Sequence, residues 1–405
     1  MKQYEHENNT FFSINGKESI NEFVKNYISP VFLYSKKVIT HQYNILRKAL
    51  PDKFKIFYAQ KSNPHSEILK LLNSMGAGCD TASLGEFKSA LEAGFPPKRI
   101  MMTGPGKTEK ELLFTIENNL LSINAESLQE IFLIDKLSAE HGKKQKILIR
   151  INPEFEAGET NRIIGGMGVS KFGIDIESIS YVINQAKKLK HIKINGIHIF
   201  NSSQILDYKR IFYNIKNVID TAKKLSTEHR LQFKLIDAGG GFGIPYLRDE
   251  EMLDTERLGN ELINLINDKE YKSFLSETEL ISEPGRFLTG LAGVYLFRVL
   301  YTKESQGKKI AITDGGINHF IRPVLIGQKH LIINMTALIE GREDTDEFMV
   351  AGPLCTALDV FDESALLAKV NQGDILAILN AGAYGYTESM PFFLSHPAAN
   401  EIFIN

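Results

Sequence analysis

A lysine follows an apolar segment early in the chain, where residues 57–63 read Phe-Tyr-Ala-Gln-Lys-Ser-Asn. We predict a strand over residues 55–61 that ends on Lys61. An amine held at the end of a rigid strand is suited to forming an imine with a carbonyl group. A lysine in this position is more often a solvated edge residue, so the assignment depends on the motifs that follow.

Glycines are concentrated in the segment Asp-Ala-Gly-Gly-Gly-Phe-Gly, where Gly239, Gly240, Gly241 and Gly243 fall within five positions. Backbone N–H groups can turn toward an anion there because no side chain is in the way. The spacing is not G-x-G-x-x-G and no Lys-Ser/Thr pair follows, so it indicates a single phosphate rather than a dinucleotide or a triphosphate. A tight turn is the alternative.

A carboxylate and a guanidinium flank a second turn, Glu283-Pro284-Gly285-Arg286. A carboxylate that faces a pyridine nitrogen favours the protonated ring and so makes it a better electron acceptor. A surface Glu-Arg pair is the alternative. A lysine, a phosphate-binding turn and this carboxylate are three of the groups that pyridoxal 5′-phosphate requires.

The elements that must position these residues alternate between short apolar strands and amphipathic helices. Eight βα repeats over roughly 230 residues predict an α/β fold with a (β/α)₈ TIM barrel, in which catalytic groups lie at the C-terminal ends of the strands. An open doubly wound sheet would normally carry its phosphate glycines after the first strand instead. The predicted strands are 55–61, 78–82, 100–103, 121–124, 147–151, 194–200, 233–237 and 280–283.

A chain of 405 residues exceeds what one core usually supports. After Arg286 the pattern changes to strands joined by short turns, which predicts a C-terminal antiparallel β-barrel or sandwich. The predicted domains are an N-terminal segment, 1–30, that packs on the β-domain, a cofactor-binding barrel, 31–286, and the β-domain, 287–405. Within the first segment we predict a strand over Asn9–Ile14 and a helix over Ser19–Tyr27.

Composition excludes several classes of function. With 47 basic and 49 acidic residues the chain has no bulk charge that would favour nucleic acid or a membrane surface. The N-terminus lacks an apolar signal segment, so we expect a cytoplasmic protein. Two cysteines and scattered histidines offer no paired metal-ligand spacing, and we predict no metal site.

Five segments together resemble the fold-type III pyridoxal-phosphate decarboxylases, which have an alanine racemase-like barrel and include diaminopimelate, ornithine and arginine decarboxylases. The resemblance covers nearly the whole chain. The family pattern Y-A-x-K-A-N is met by Tyr58–Asn63, with serine in place of the second alanine. The other matches are the glycine segment 239–243, E-P-G-R at 283–286, G-P-x-C at 352–355 and G-A-Y-G at 382–385.

The resemblance implies that Lys61 carries the cofactor and that Cys355 acts as a proton donor in the active site of a neighbouring subunit. We therefore expect a homodimer with shared active sites. The implied cofactor-binding residues are Lys61, Asp80, His198, Phe200, Ser203, Gly239, Gly240, Gly241, Gly243, Glu283, Gly285, Arg286 and Tyr384. The implied substrate-binding residues are Arg286, Arg322, Thr356, Asp359 and Tyr384.

Departures from the family pattern bear on the substrate. Phe200 replaces the histidine expected to stack on the cofactor ring, and Thr356 replaces a glutamate that contacts diaminopimelate. Ile326 stands where diaminopimelate decarboxylases carry a tyrosine, four residues after Arg322. These changes favour a side branch from natural-product and siderophore biosynthesis that includes a decarboxylase of carrier-bound glutamate.

We therefore predict decarboxylation of the α-carboxylate of an L- or D-amino acid, with a carrier-bound or conjugated amino acid favoured as the substrate. A diaminopimelate decarboxylase that makes lysine is the first alternative. An amino-acid racemase and a regulator that has lost the cofactor remain open.

Overall fold

The structure is a computed structural model that describes residues 9–16, 22, 24–26, 28–153, 170–201 and 203–405. A short helix, Thr10–Asn15, and strand β1, Val31–Ser35, come first. The strand predicted over Asn9–Ile14 is wrong, because the Asn9 side chain accepts a hydrogen bond from the Phe11 amide and caps a helix there. The helix predicted over Ser19–Tyr27 lies largely outside the described residues.

Parallel strands close into a barrel, in the order β5-β4-β3-β2-β10-β9-β8-β6, and β6 pairs back with β5. Among the described strands, the short β7 pairs with β6 alone. The predicted α/β barrel is confirmed. Its strands are β2 Phe54–Ala59, β3 Gly78–Thr81, β4 Ile100–Met102, β5 Ser122–Ala125, β6 Gln145–Asn152, β7 Ile174–Asp175, β8 Ile192–His198, β9 Leu235–Asp237 and β10 Glu279–Ser282.

Amphipathic helices follow the strands, and several begin at side-chain caps that end the preceding loop. Thr108 and Glu111 form a reciprocal capping box, and the Ser83 and Ser127 hydroxyls each accept an amide hydrogen bond from the first turn. The helices are Lys36–Ala49, Ser66–Ser74, Leu84–Glu92, Glu109–Glu117, Leu128–Glu140, Ile179–Ala186, Tyr208–His229, Thr255–Asn267 and Lys269–Lys272. Among the described residues, no helix has the length and apolarity needed to cross a bilayer.

Large apolar side chains fill the barrel interior at one level. Burying each of them contributes roughly 1.5–3 kcal/mol. Because alternate residues of a strand face the same side, the residue two positions later on each strand also points inward, toward the C-terminal mouth. The buried layer consists of Phe57, Met101, Leu148, Leu235 and Ile281.

The second sheet has the strand order β13-β16-β11-β12-β14-β15. Strand β1 pairs antiparallel with β11 and parallel with β17, and β12 pairs parallel with β14. Its strands are β11 Gly293–Ser305, β12 Lys308–Thr313, β13 Ile332–Asn334, β14 Thr345–Ala351, β15 Val360–Ala368, β16 Ile375–Ile378 and β17 Asn400–Ile404. Short helices accompany them at Arg286–Thr289, Arg322–Ile326 and Met335–Glu340. The predicted β-rich C-terminal sheet is confirmed.

The chain divides into two compact units, each described here by itself. The barrel unit comprises residues 44–243 and 252–285, and the second unit comprises the described residues up to Tyr43 together with 244–251 and 286–405. Residues 31–43 thus fall in the second unit, whereas the predicted boundary at residue 31 assigned them to the barrel.

Candidate active site

Polar side chains occupy the mouth of the barrel two residues beyond its apolar layer. Thr103 comes two residues after Met101, and Arg150 comes two residues after Leu148. The same spacing separates Asp237 from Leu235 and Glu283 from Ile281. On the remaining strands the corresponding inner positions are small, Gly78, Ser122 and Gly196, and are followed by Asp80, Asn124 and His198. The alternation of each strand therefore brings these polar residues to one end of the barrel.

Lys61 lies in a single 3₁₀ turn, Gln60–Ser62, because strand β2 ends at Ala59 and not at the lysine as predicted. Its Nζ lies 3.0 Å from Asp80 Oδ2 and 5.6 Å from the centroid of the Phe200 ring. Burial of Asp80 and the charge of Glu283 raise the pKa of the aspartate, and Lys61 opposes that shift. The amine therefore faces a buried carboxylate and an aromatic ring.

His198, Asp237 and Glu283 form a buried cluster whose nearest ligand-type atoms all lie within 4.8 Å of one another. His198 Nε2 lies 3.5 Å from Glu283 Oε2. Burial opposes ionisation of Glu283, but His198, Lys61 and a hydrogen bond from Asp237 outweigh it and lower the glutamate pKa to about 2. Burial and the charge of Glu283 raise the pKa of Asp237 well above its usual range. These opposite shifts favour the neutral form of Asp237 and the ionised form of Glu283.

The glycine segment forms a turn fixed on both sides by backbone hydrogen bonds. Gly239 has φ +66°, and its amide donates to Asp237 Oδ1 at 2.9 Å. Ile205 donates to the Gly241 carbonyl and accepts from the Gly243 amide, both at 2.9 Å. Ser203, one of the implied cofactor-binding residues, is half-buried two residues before Ile205.

Gly285 connects two of the predicted motifs within the barrel unit. A β-carbon built on Gly285 would lie 3.0 Å from the Ser62 side chain, so the Glu-Pro-Gly-Arg segment approaches the turn that carries Lys61. The structure therefore brings Lys61, Asp80, His198, Phe200, the glycine turn, Glu283 and Gly285 into one unit.

Two arginines flank Tyr384 in the second unit. The guanidinium carbons of Arg286 and Arg322 lie 5.0 Å and 5.1 Å from the centroid of its ring. Arg286 Nη1 donates to the Tyr246 hydroxyl at 2.6 Å. Arg322 is 1% exposed, and its Nη1 donates to Glu388 Oε2 at 2.6 Å. Glu388 was not predicted from the sequence, and no motif marked it.

Cys355 is exposed in a turn that Asp359 holds in place. Asp359 is buried, and its two carboxylate oxygens accept hydrogen bonds from the Ile317 and Leu354 amides, each at 2.7 Å. These contacts give Asp359 a positioning role beside Cys355, in addition to the predicted contact with substrate. Thr356 lies next to Cys355 and is half-buried.

Sequence reasoning missed Thr103 and Asn124, which lie between Asp80 and His198. Thr103 Oγ1 donates to Asp80 Oδ1 at 2.5 Å, and Asn124 Nδ2 lies 3.0 Å from Thr103 Oγ1 and 3.3 Å from His198 Nδ1. The signal that could have found them is their inward register on β4 and β5, because neither residue type is distinctive by itself.

Comparison with known proteins identifies the family. A family model described as "Pyridoxal-dependent decarboxylase, pyridoxal binding domain" matches residues 36–290. The chain belongs to this family. It is a pyridoxal-phosphate-dependent amino-acid decarboxylase, and the predicted enzyme class and cofactor are confirmed.

Individual relatives of this decarboxylase differ in substrate. The diaminopimelate decarboxylase of Aquifex aeolicus is 34% identical over 95% of the chain and 89% of that protein. The L-glutamyl-[BtrI acyl-carrier protein] decarboxylase of Niallia circulans is 31% identical over 95% of the chain and 90% of that protein. The structure of diaminopimelate decarboxylase from Helicobacter pylori complexed with L-lysine superposes with a TM-score of 0.86 at 30% identity, covering 95% of this chain and 94% of that one.

Proposed function

We propose that the barrel unit binds pyridoxal 5′-phosphate through Lys61, Glu283 and the glycine turn 239–243. Lys61 supplies the amine for an imine, and Glu283 supplies a buried carboxylate for the ring nitrogen. Its Oε1 is buried and has no hydrogen-bond partner among the described residues. The amides of the turn, with Ser203, suit a single phosphate. These groups fit the cofactor that the family uses.

The cofactor supplies an electron sink when bound, and the protein supplies charge and protons around it. Glu283 is ionised at neutral pH because its pKa is near 2, so it favours a protonated ring nitrogen. Phe200 presents an aromatic face near Lys61. Cys355 is the proposed donor of the proton that replaces the departing carboxylate, and its exposure in the single chain is compatible with action across a dimer interface.

For the substrate we propose an amino acid whose distal end carries no free carboxylate, such as a carrier-bound or otherwise conjugated amino acid. The observation that supports this is the ion pair between Arg322 and Glu388. A substrate carboxylate that approached Arg322 would compete with a carboxylate already hydrogen-bonded there, and displacing a charged partner from a buried guanidinium is unfavourable. A thioester or an amide brings no such competing charge.

Diaminopimelate is the second candidate substrate, and the 34% identical relative from Aquifex aeolicus favours it. The absence of a glutamate at position 356 and of a tyrosine at position 326 argues against it, because polar groups of a buried substrate would lose their partners. A racemase and a cofactor-free regulator are not supported by this membership of the decarboxylase family.

Carbon dioxide release by the purified holoenzyme tests the substrate proposal. Free diaminopimelate, lysine, ornithine, arginine and glutamate are compared with carrier-bound and amide-conjugated amino acids that lack a distal carboxylate. We expect kcat/KM to be at least about tenfold higher for a conjugate. If free diaminopimelate is the best substrate, the substrate proposal fails while decarboxylation stands.

A charge-removing variant tests the role of Glu388 in the same assay. Glu388→Gln removes the carboxylate that forms an ion pair with Arg322 and so leaves the guanidinium available to a substrate carboxylate. Activity on free diaminopimelate should therefore rise by about tenfold relative to activity on a conjugate. Glu363→Gln is the matched control, because Glu363 forms an exposed ion pair with Lys308 in the same unit. An unchanged substrate ratio in Glu388→Gln would contradict this role.

We also propose that the enzyme is a homodimer. Residues 390–394 carry a run of exposed apolar side chains, with Phe392 91%, Leu394 48% and Phe393 39% exposed in the single chain. Such a run favours burial against another protein surface. Light scattering after gel filtration measures the mass, and Phe392→Ser should shift a dimer toward monomer. A wild-type monomer would contradict the proposal.

The cytoplasmic location stays a prediction.

A further inference from the structure

A continuous series of buried polar contacts runs from Asp80 to Glu283 through the barrel mouth, with hydrogen bonds as far as His198 and a close contact from His198 to Glu283. It passes from Asp80 to Thr103 at 2.5 Å, to Asn124 at 3.0 Å, to His198 at 3.3 Å and to Glu283 at 3.5 Å. All five residues are at most 6% exposed. Their contacts connect the carboxylate beside Lys61 with the carboxylate proposed for the cofactor ring.

The direction of these hydrogen bonds follows from the groups at the Lys61 end. Asp80 forms an ion pair with Lys61, so its carboxylate accepts the hydroxyl proton of Thr103. A hydroxyl has one proton, and Thr103 Oγ1 must therefore accept from its next neighbour. That neighbour is the Asn124 amide nitrogen, and its orientation is thereby fixed.

The second N–H of the Asn124 amide points to His198 Nδ1. An Nδ1 atom that accepts a hydrogen bond carries no proton, so the ring proton of a neutral imidazole is on Nε2. Nε2 is the atom that faces Glu283 Oε2. In the opposite amide orientation, the Asn124 oxygen would face the Thr103 oxygen without a proton between them.

We propose that Thr103 and Asn124 are positioning residues that hold His198 as the neutral Nε2–H tautomer, so that it donates a hydrogen bond to Glu283. A hydrogen bond donated to the ionised form of a carboxylate stabilises its negative charge. His198 thus helps to keep Glu283 ionised beside Asp237. This inference is independent of which amino acid is the substrate.

The tautomer is measured directly in the cofactor-free enzyme by ¹⁵N NMR of histidine-labelled protein, with His198→Gln used to assign the signal. We expect His198 to show an unprotonated Nδ1 and a protonated Nε2 in the wild type at neutral pH. Asn124→Asp places an acceptor opposite Nδ1 and should bring a proton onto that nitrogen. Thr103→Val removes the acceptor that fixes the amide and should give a mixture of tautomers.

Thr81→Val is the matched control, because the Thr81 hydroxyl is equally buried but donates to the Met101 carbonyl, outside this series. It should leave the His198 signals unchanged. As a second readout, the dissociation constant of pyridoxal phosphate, measured by equilibrium dialysis, should rise about tenfold in Asn124→Asp and stay within twofold in Thr81→Val. Folded Asn124→Asp and Thr103→Val proteins with wild-type His198 signals would overturn the inference.

Discussion

Gly240 lies directly against the main chain of Glu283. A β-carbon built on Gly240 would come within 2.5 Å of the Glu283 carbonyl oxygen, which is closer than such atoms approach in folded proteins. The glycine turn after β9 and the main chain that carries Glu283 after β10 are therefore in direct contact. Their separate motifs form one structural element.

Gly240→Ala should weaken cofactor binding, because the added methyl group must push the turn away from the segment that carries Glu283. We expect the dissociation constant of pyridoxal phosphate to rise by at least about tenfold, together with a lower melting temperature. Gly106→Ala is the control, since nothing lies within 4 Å of a β-carbon built at Gly106. Equal cofactor affinities of the two variants would show that the contact has no influence on binding.

Replacement of Lys61 by alanine should abolish both the bound visible absorbance and carbon dioxide release, because the amine proposed to form the imine is removed. We expect a loss of activity of at least about 10³-fold. Lys55→Ala is a suitable control, because Lys55 is exposed and lies on β2, the strand that precedes the turn with Lys61. Absorption spectra and single-turnover assays measure the result, and substantial turnover by Lys61→Ala would contradict the assignment.

The two cysteines should differ strongly in reactivity. Cys79 is fully buried, and burial and the charge of Asp80 raise its thiol pKa well above the usual range, whereas Cys355 is exposed. A thiol reagent should label Cys355 rapidly in the native enzyme and reach Cys79 only after unfolding, since the thiolate is the reactive form. Cys355→Ala should lose the rapid phase and Cys79→Ala should keep it. Comparable rates for both thiols in the native protein would be inconsistent with this structure.

Stability should fall with acidity through His330. Burial lowers the pKa of this histidine to about 3. The hydrogen bond with Leu379 opposes that shift, and the charges of Arg322 and Arg286 add to it. Between about pH 6.5 and pH 3 the unfolded chain binds a proton at this histidine and the folded chain does not. As the pH falls through this range, the histidine therefore lowers the free energy of unfolding by at most about 1.4 kcal/mol for each pH unit.

His330→Leu removes this titration, so its melting temperature should change less between pH 7 and pH 5 than that of the wild type. The variant also loses the hydrogen bond from Nδ1 to the Leu379 carbonyl, 2.9 Å long, and its overall stability should be lower. His41→Gln, at an exposed position, should retain the wild-type dependence on pH. An identical dependence in His330→Leu would exclude this histidine as the cause.

The barrel was predictable because its local signals agree with one another. The helices Ser66–Ser74 and Tyr208–His229 have amphipathic periods, and each begins after a polar side-chain cap, His65 and Asp207 respectively. Lys61 and Glu283 could be singled out because an amine and a carboxylate at strand ends have recognisable chemistry. Their proposed roles toward the cofactor stay predictions.

Other features depend on contacts that the linear sequence does not indicate. Glu388 meets Arg322 across 66 residues, and a glutamate in a polar segment has no distinctive pattern. Strand β1 was missed because its partners are β11 and β17, which lie far along the chain. The helix Thr10–Asn15 was predicted as a strand because its aromatic residues favour extended structure, and the cap at Asn9 decided otherwise.

The pairing of β1 with β17 has a consequence for biosynthesis. Tyr34 in β1 donates a hydrogen bond to Glu401 in β17, which is made 367 residues later. During translation β1 leaves the ribosome long before this neighbour exists, so one edge of the strand must wait, exposed to chaperones or to other nascent chains, until residues 400–404 have been made. Assembly of this sheet therefore cannot be completed when its first strand emerges.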